Sequence, residues 1–225
     1  MNNKVLMLLP SRSRSEKIEH CIDAWRATKE QSDLLVLLDD DDPELDRYQR
    51  HSDVLYHVGP RIRMCPTVNQ AVKDYPNYKY YGFIGDDHLF RTDGWDKKFI
   101  SIIENKGNGW GIAYGDDLLQ GEGLATHCVM SKNIIDSIGY MAIPGLVHLY
   151  MDNFWMTLGT SIDRLFYEPS VIVEHMHFTA GKSAADALYV EVNSHDMYVS
   201  DELTFNNWKE NDLESDVSKI KSNMQ

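Results

Sequence analysis

In the first half of the chain, short apolar runs alternate with segments in which apolar residues recur every three or four positions. The runs indicate buried strands, and the spacing indicates amphipathic helices. Predicted strands cover residues 4–9, 34–38, 54–58 and 80–84, and predicted helices cover residues 16–29 and 67–75. Ser15 is placed to cap the first helix. This β-α-β-β-α-β order with short connections predicts an α/β domain with a mostly parallel sheet flanked by helices.

The second half of the chain is less regular. Predicted strands cover residues 110–114, 125–130 and 170–174, and predicted helices cover residues 95–104, 132–138, 146–158 and 196–208. Ser131 is placed to cap the helix that begins at Lys132. Residues 211–225 are polar and contain no aromatic side chain, which predicts a frayed end. We expect a main domain over residues 1–182 and a C-terminal extension over residues 183–225, partly helical with a frayed polar end.

Composition limits the class of protein. The 225 residues are 43% hydrophobic and 11% aromatic, which is enough for one sizeable core. The apolar run at residues 5–9 ends at Pro10, far short of the roughly 20 residues that span a bilayer, so a cytoplasmic protein is expected. Cys21, Cys65 and Cys128 show no C-x-x-C spacing. They are expected to be reduced thiols rather than disulfides or zinc ligands.

The formal net charge of −13 argues against a surface that embraces nucleic acid over many phosphates, because that mode of binding needs an excess of Lys and Arg. A local basic groove remains compatible with this charge. The acidic residues gather directly after apolar runs, at positions 39–42, 86–87 and 116–117. A metal ion or a polar ligand could use them there.

The most informative stretch is the predicted strand at residues 80–84 together with Gly85, Asp86, Asp87 and His88, which follow it. Two carboxylates about 4 Å apart repel by roughly 4 kcal/mol at an effective dielectric constant near 20, so such a pair protonates, separates or shares a cation. Ligands of open parallel α/β sheets gather at the carboxyl ends of strands. The motif therefore suggests a divalent metal site. The alternative is that the two acids only cap the next turn.

Together with the order of the predicted elements, four sequence features resemble a GT-A-type glycosyltransferase, similar to the family 2 nucleotide-sugar transferases. They are the opening Pro10-Ser11-Arg12-Ser13-Arg14, the acidic residues 39–42, the segment Gly85-Asp86-Asp87-His88 and the later His175 and His177. The likeness spans residues 4–182. It implies a Rossmann-like sheet, a nucleotide-sugar donor, a divalent metal held by an Asp-x-Asp-type motif, a glycine-containing acceptor loop and a catalytic acid on a later helix. The chain departs from the motif at His88, where the family would have an acid.

The resemblance assigns Asp87 to the metal and Asp86 to the ribose or the metal, with His88 as an additional ligand. His175 and His177 are alternate residues of a predicted extended segment and share a face, so either could complete the metal shell. They could instead be surface histidines that end a strand. The expected cation is Mn²⁺ or Mg²⁺, and a histidine ligand favours Mn²⁺.

Cofactor contacts are expected from basic and acidic residues at two strand ends. Arg12 and Arg14 could bind diphosphate oxygens, and Lys182 is a further phosphate candidate. Asp39 or Asp40 is the expected contact to base and ribose, and a carboxylate that accepts from uracil N3–H favours a UDP-sugar. Solvated loop charges are the alternative for each of these residues.

Asp152 is the candidate catalytic residue, because it lies among apolar neighbours on a predicted helix where the resembled family places its catalytic acid. An inverting transferase would use it as a general base; in a retaining enzyme it could orient the acceptor. The alternative is a helix-surface or N-cap acid. His148 precedes it by four residues and could assist. The loop at residues 114–123 is rich in glycine and acids, and its Asp116, Asp117, Gln120 and Glu122 could contact a polar acceptor.

The function expected from these features is metal-dependent transfer of a sugar from a nucleoside diphosphate to a hydroxyl acceptor. A nucleotidyltransferase acting on sugar phosphates and a non-catalytic sugar-nucleotide-binding module are the alternatives. The acceptor could be a saccharide, a lipid-linked intermediate, a protein or a hydroxylated nucleobase in DNA, the last if a local patch contacts a few phosphates. Such a patch would consist of Arg61, Arg63, Lys97 and Lys98.

Overall fold

The computed structural model describes residues 2–182 and 187–225. Within these residues the strands are β1 Asn2–Ser11, β2 Ser32–Asp39, β3 Leu55–Gly59, β4 Tyr78–Phe83, β5 His88–Phe90, β6 Ile112–Asp116, β7 Cys128–Ser131 and β8 Leu165–His175. They form one sheet in the order β3-β2-β1-β4-β7-β6-β8-β5. The β1–β2, β1–β4, β2–β3 and β6–β8 pairs are parallel, while β7 is antiparallel to both neighbours and β5 to β8. The predicted mostly parallel α/β sheet is confirmed.

The helices of the described residues cover both faces of the sheet. They are α1 Lys17–Thr28, α2 Met64–Asp74, α3 Trp95–Gly107, α4 Lys132–Ile138, α5 Met151–Ser161, α6 Ala187–Val192, α7 His195–Asn211 and α8 Leu213–Asn223. Strand β1 is buried on both faces: Leu6 and Leu8 pack with α2, α4 and α5, whereas Val5, Met7 and Leu9 pack with α1 and α3. This two-sided burial explains the continuous apolar run of β1.

Several predicted boundaries differ from the observed ones. Helix α5 begins at Met151 rather than at residue 146, because Tyr150 adopts φ 64° and ends the preceding loop. Strand β5 and helix α6 were not predicted, since each has too few residues to show a periodicity. The predicted cap at Ser15 is wrong, because its hydroxyl donates to Glu44 and the N-cap residue is Glu16. Ser131 does occupy the N-cap of α4, but its hydroxyl accepts from the Gly111 N–H instead of capping the helix.

The predicted frayed end is also wrong. Helix α8 packs against the main core through Ile220, which is fully buried. The buried Asp216 carboxylate accepts hydrogen bonds from Tyr140 and from Trp208 Nε1, so a polar sequence is held in place by specific pairing. The first residues of the predicted extension, 183–186, lie outside the described residues, and the division after residue 182 stays a prediction.

The state of the cysteines and the character of the helices were also predicted from the sequence. Cys21, Cys65 and Cys128 are buried and free, as expected for reduced thiols. Over residues 2–182 and 187–225, the structure contains no helix of the length and apolar character that crossing a bilayer requires.

Candidate active site

A cleft opens at the carboxyl edge of the sheet, where β1, β2, β4 and β8 end. Most of the predicted site residues line it: Arg12, Arg14, Asp39, Asp86, Asp87, His88, Asp152, His175 and His177. Parallel strands deliver their carboxyl ends to one edge, so residues distant in sequence converge there. Most of the residues predicted as site candidates therefore lie close together in the folded chain.

Asp87, His88 and His175 form the candidate metal site, with one ligand atom from each lying within 4.8 Å of the others. Asp87 Oδ1 lies 3.2 Å from His88 Nδ1, and Asp87 Oδ2 lies 3.3 Å from His175 Nε2. Antiparallel pairing of β5 with β8 sets His88 directly opposite His175, and their rings stack at a centroid distance of 4.1 Å. The strand register thus creates the cluster.

These side chains fit a divalent cation. His88 is only 3% exposed, yet neither of its ring nitrogens has a hydrogen-bond partner among the described residues, and the same holds for His175 Nδ1. Buried polar atoms normally have a hydrogen-bond partner. The ring nitrogens that lack one here surround the Asp87 carboxylate, and this arrangement needs an explanation. A metal ion supplies one. The mixed oxygen and nitrogen donor set suits Mn²⁺ better than Mg²⁺.

The charges in the cluster are complementary. Burial raises the pKa of Asp87, but the neighbouring His175 and His88 outweigh it and hold that pKa far below its usual range. Burial lowers the pKa of His175, whereas Asp117 and Asp87 raise it, to about 9 overall. Burial and the proximity of His175 lower the pKa of His88, which keeps this imidazole neutral and able to ligate a metal.

Gly85 leaves the space that the cluster needs. A Cβ built on Gly85 would lie 2.8 Å from Asp87 Oδ1 and 3.1 Å from His88 Nδ1. We expect Gly85→Ala to weaken Mn²⁺ binding about tenfold, equivalent to about 1.4 kcal/mol, because the carboxylate and the imidazole must move apart. Isothermal titration with MnCl₂ measures this. Gly123→Ala is the matched control, since a Cβ there meets nothing within 4 Å, and equal losses in both variants would contradict the prediction.

Asp86 faces away from the cluster and into the loop after β1. Its carboxylate accepts from Ser11 Oγ at 2.7 Å and pairs with Arg14 Nη1 at 2.5 Å. Burial raises its pKa, although Arg14 opposes this effect. Adjacent acids therefore serve different partners, and Asp86 fixes the conformation of the loop after β1.

The remaining predicted cofactor contacts fall into two groups. Arg12 pairs with Asp39 at 3.0 Å and with Asp41, so an Arg–Asp pair lines the cleft beyond β2. Asp40 is exposed and does not line the cleft. Lys182 pairs with Glu174 at 2.9 Å and lines a second pocket, which shares walls at Arg14, Asp86 and Asp87 with the main cleft.

His177 and Asp152 line the cleft outside the metal cluster. The ring of His177 meets that of His175 edge-on at 4.8 Å, and burial together with His175 lowers its pKa. Asp152 lies in the first turn of α5, where Oδ1 accepts from the Asn153 N–H at 2.9 Å. Burial raises the pKa of Asp152, which makes its carboxylate a better proton acceptor.

Asp117 has a different role from the predicted one. It is 1% exposed, so it cannot contact an acceptor from the loop surface. Its Oδ1 accepts from the backbone N–H groups of Leu119, Gln120 and Gly121, and its Oδ2 lies 3.9 Å from His175 Nδ1. The backbone carbonyl of Asp117 also accepts from the His175 backbone N–H at 3.0 Å. Asp117 therefore links the conformation of the loop to that of His175.

Asp201, on α7, has a role that no sequence pattern indicated. This fully buried carboxylate accepts from three consecutive backbone N–H groups, those of Val147, His148 and Leu149, at 2.8, 2.8 and 2.7 Å. The loop that it holds leads directly into α5 and Asp152. A C-terminal helix thus shapes one wall of the cleft.

We expect Asp201→Asn to lower the free energy of unfolding by about 2 kcal/mol, because an amide cannot accept all three bonds and directs N–H groups at donors. Urea unfolding at neutral pH measures the change. Glu210→Gln is the matched control, since it removes a charge from the exposed face of the same helix. Equal midpoints for the two variants would refute this role of Asp201.

The comparisons with known proteins place the fold. No protein-family profile and no curated protein sequence matches the chain. Among solved structures, a mannosyltransferase from Pyrobaculum calidifontis, in complex with GDP-Man and Mn²⁺, is similar at 8% identity with a TM-score of 0.59, over 99% of this chain and 74% of that one. Glucosyl-3-phosphoglycerate synthase from Mycobacterium tuberculosis, in complex with Mn²⁺, UDP-glucose and phosphoglyceric acid, is similar at 10% identity and 0.62, over 91% and 80%.

A third similar structure is that of S. aureus TarS 1–349, at 9% identity with a TM-score of 0.54, over 91% of this chain and 73% of that one. Likeness at such low identity establishes the architecture and not the chemistry. The chain has the GT-A fold, as the resemblance of its motifs predicted.

Proposed function

We propose that this protein is a metal-dependent glycosyltransferase that moves a sugar from a nucleoside diphosphate to a hydroxyl acceptor. The observation that carries the proposal is the Asp87–His88–His175 cluster, which opens onto the same cleft as the Arg12–Asp39 pair and Asp152. The structures of two similarly folded proteins were solved with Mn²⁺ and GDP-Man or with Mn²⁺ and UDP-glucose, which supports a nucleotide-sugar donor.

Different residues of the cleft are proposed to bind the metal and the nucleotide. Asp87, His88 and His175 would hold the cation, and Asp39 would accept a hydrogen bond from the ribose or the base. A divalent cation bound there would act as a Lewis acid toward the departing diphosphate. Arg12 and Arg14 lie on the loop after β1, where their charges favour a nucleoside diphosphate over a neutral nucleoside.

Asp152 is assigned as the general base. The acceptor hydroxyl oxygen forms a bond to the anomeric carbon while the bond from that carbon to the diphosphate oxygen breaks, and the hydroxyl proton passes to the Asp152 carboxylate. This sequence describes an inverting displacement. The raised pKa of Asp152 supports the assignment, because a carboxylate that binds protons more tightly is the stronger base.

The acceptor is proposed to be a polar molecule with a free hydroxyl group, such as a saccharide. Arg61 and Arg63 precede α2, whereas Lys97 and Lys98 lie on α3, which packs on the other face of the sheet. The four residues predicted as a DNA-binding patch therefore do not share one surface. A hydroxylated nucleobase stays among the acceptors to be assayed, and a cytoplasmic location remains part of this proposal.

Donor hydrolysis tests the proposal. UDP- and GDP-sugars are incubated with the protein, with and without Mn²⁺, and nucleoside diphosphate release is measured. We expect release from at least one donor that requires Mn²⁺ and is faster with a suitable hydroxyl acceptor. Absence of metal-dependent release from every donor would overturn the proposal, and pyrophosphate release from a nucleoside triphosphate with a sugar phosphate would point to a nucleotidyltransferase.

A further inference from the structure

Two arginines in the wall of the cleft converge on one carboxylate oxygen. Arg61 Nη2 donates to Glu191 Oε1 at 2.7 Å, and Arg63 Nη1 donates to the same oxygen. Arg61 and Arg63 both line the cleft. Guanidinium groups repel each other unless an anion lies between them, so this arrangement defines a place where the protein binds negative charge.

Glu191 is a more replaceable partner than Asp86, the buried acid that holds Arg14. Asp86, which pairs with Arg14, is buried in the segment that follows β4. Glu191 instead lies on the six-residue helix α6, and its side chain is 42% exposed. A displaced Glu191 carboxylate would return to water at little cost, because an ion pair that is partly exposed to solvent contributes little to stability.

Arg61 and Arg63 lie between the residues proposed to bind the donor and the residue proposed to activate the acceptor. Arg61 Nε lies 3.7 Å from Asp39 Oδ2, next to the proposed nucleoside contact. On the other side, the Cys65 N–H donates to Val147 O at 3.2 Å, which joins the segment after Arg63 to the loop that leads to Asp152. The arginines thus lie between the nucleoside end and the general base. Arg63 itself adopts φ 77°, a strained conformation for a residue with a side chain.

We infer that Arg61 and Arg63 form a subsite for a phosphomonoester group carried by the acceptor, and that Glu191 occupies this subsite until the phosphate displaces it. The inference rests on the proposed function, because only a transferase has an acceptor. A phosphomonoester offers three terminal oxygens and a charge between −1.5 and −2, so it can accept from both guanidinium forks where a carboxylate saturates fewer donors.

The geometry favours a terminal phosphate over a polynucleotide backbone. Both guanidinium groups meet at one point instead of being spaced along a groove, and the lysines at positions 97 and 98 lie over the other face of the sheet. The net charge of −13 opposes contact with many phosphates. A small phosphorylated acceptor satisfies these conditions.

Isothermal titration with inorganic phosphate, in Mg²⁺ buffer with and without saturating UDP, tests the inference. We expect saturable binding to the wild type in both conditions, at least tenfold weaker binding to Arg63→Gln, and several-fold tighter binding to Glu191→Gln, which removes the competing carboxylate. Arg91→Gln is the matched control, because Arg91 pairs with Glu174 and does not line the cleft. UDP affinity should stay within twofold in all variants, which also shows that they are folded.

Three outcomes would overturn the inference. Phosphate affinity that is unchanged in Arg63→Gln shows that the arginines do not form the subsite. Phosphate that competes one-for-one with UDP assigns them to the donor diphosphate. Binding of a single-stranded oligonucleotide that Arg63→Gln abolishes, without phosphate binding, assigns them to a polynucleotide. If neither UDP nor any UDP- or GDP-sugar binds in the presence of a divalent metal, the proposed function fails, while the phosphate titration without nucleotide still reports on the subsite.

Discussion

Asp87→Asn will bind Mn²⁺ about 100-fold more weakly than the wild type, and its metal-dependent release of nucleoside diphosphate will fall to background. Asp87 supplies the carboxylate of the cluster, and it lies within 3.3 Å of a ring nitrogen of each histidine. The asparagine side chain has nearly the same size but no charge, so the two imidazoles would have to hold the cation without a counter-charge. A 100-fold loss corresponds to about 2.7 kcal/mol. Titration with MnCl₂ and the donor-hydrolysis assay measure the two effects.

Asp93→Asn is the control for this experiment, because Asp93 is an exposed acid outside the cleft and its neutralisation removes the same single negative charge. Its Mn²⁺ affinity should match that of the wild type. If Asp87→Asn retained wild-type affinity and activity, the metal would have to bind elsewhere. The cluster of His88 and His175 would then be a structural pair.

The parallel half of the fold could be predicted because its strands are buried on both faces and are therefore continuous apolar runs, as in β1 and β2. Strand β5 could not, because it has only three residues. Residues 128–130 of β7 were predicted as strand, but the antiparallel position of β7 between β4 and β6 was not. The position of these strands in the sheet depends on pairing between residues distant in sequence, which local periodicity does not predict.

The same limit applies to the metal cluster. Alternation in an extended segment predicted that His175 and His177 share a face, but only His175 belongs to the cluster, since β8 ends there. The choice between them depends on the pairing of His175 with His88 across two strands. The roles of Asp117 and Asp201 could not be predicted for a related reason. Each is a buried acid that accepts hydrogen bonds from backbone N–H groups. The pattern of apolar positions carries no information about such partners.

Asp152→Asn will reduce kcat by 10²- to 10⁴-fold, the range that a general base contributes, while the affinities for Mn²⁺ and UDP stay within twofold. The asparagine keeps the shape of the first turn of α5 but cannot accept the acceptor's proton. In the wild type the carboxylate is active only when ionised, and burial raises its pKa, so activity should fall as the pH drops through that raised value and recover above it. The Asp152→Asn variant should not show this loss of activity at low pH.

Asp163→Asn is the control, because Asp163 is an exposed acid just beyond the same helix. This variant should match the wild type in rate and pH profile. A kcat for Asp152→Asn within threefold of the wild-type value would show that the acceptor's proton leaves by another route and that Asp152 only shapes the cleft.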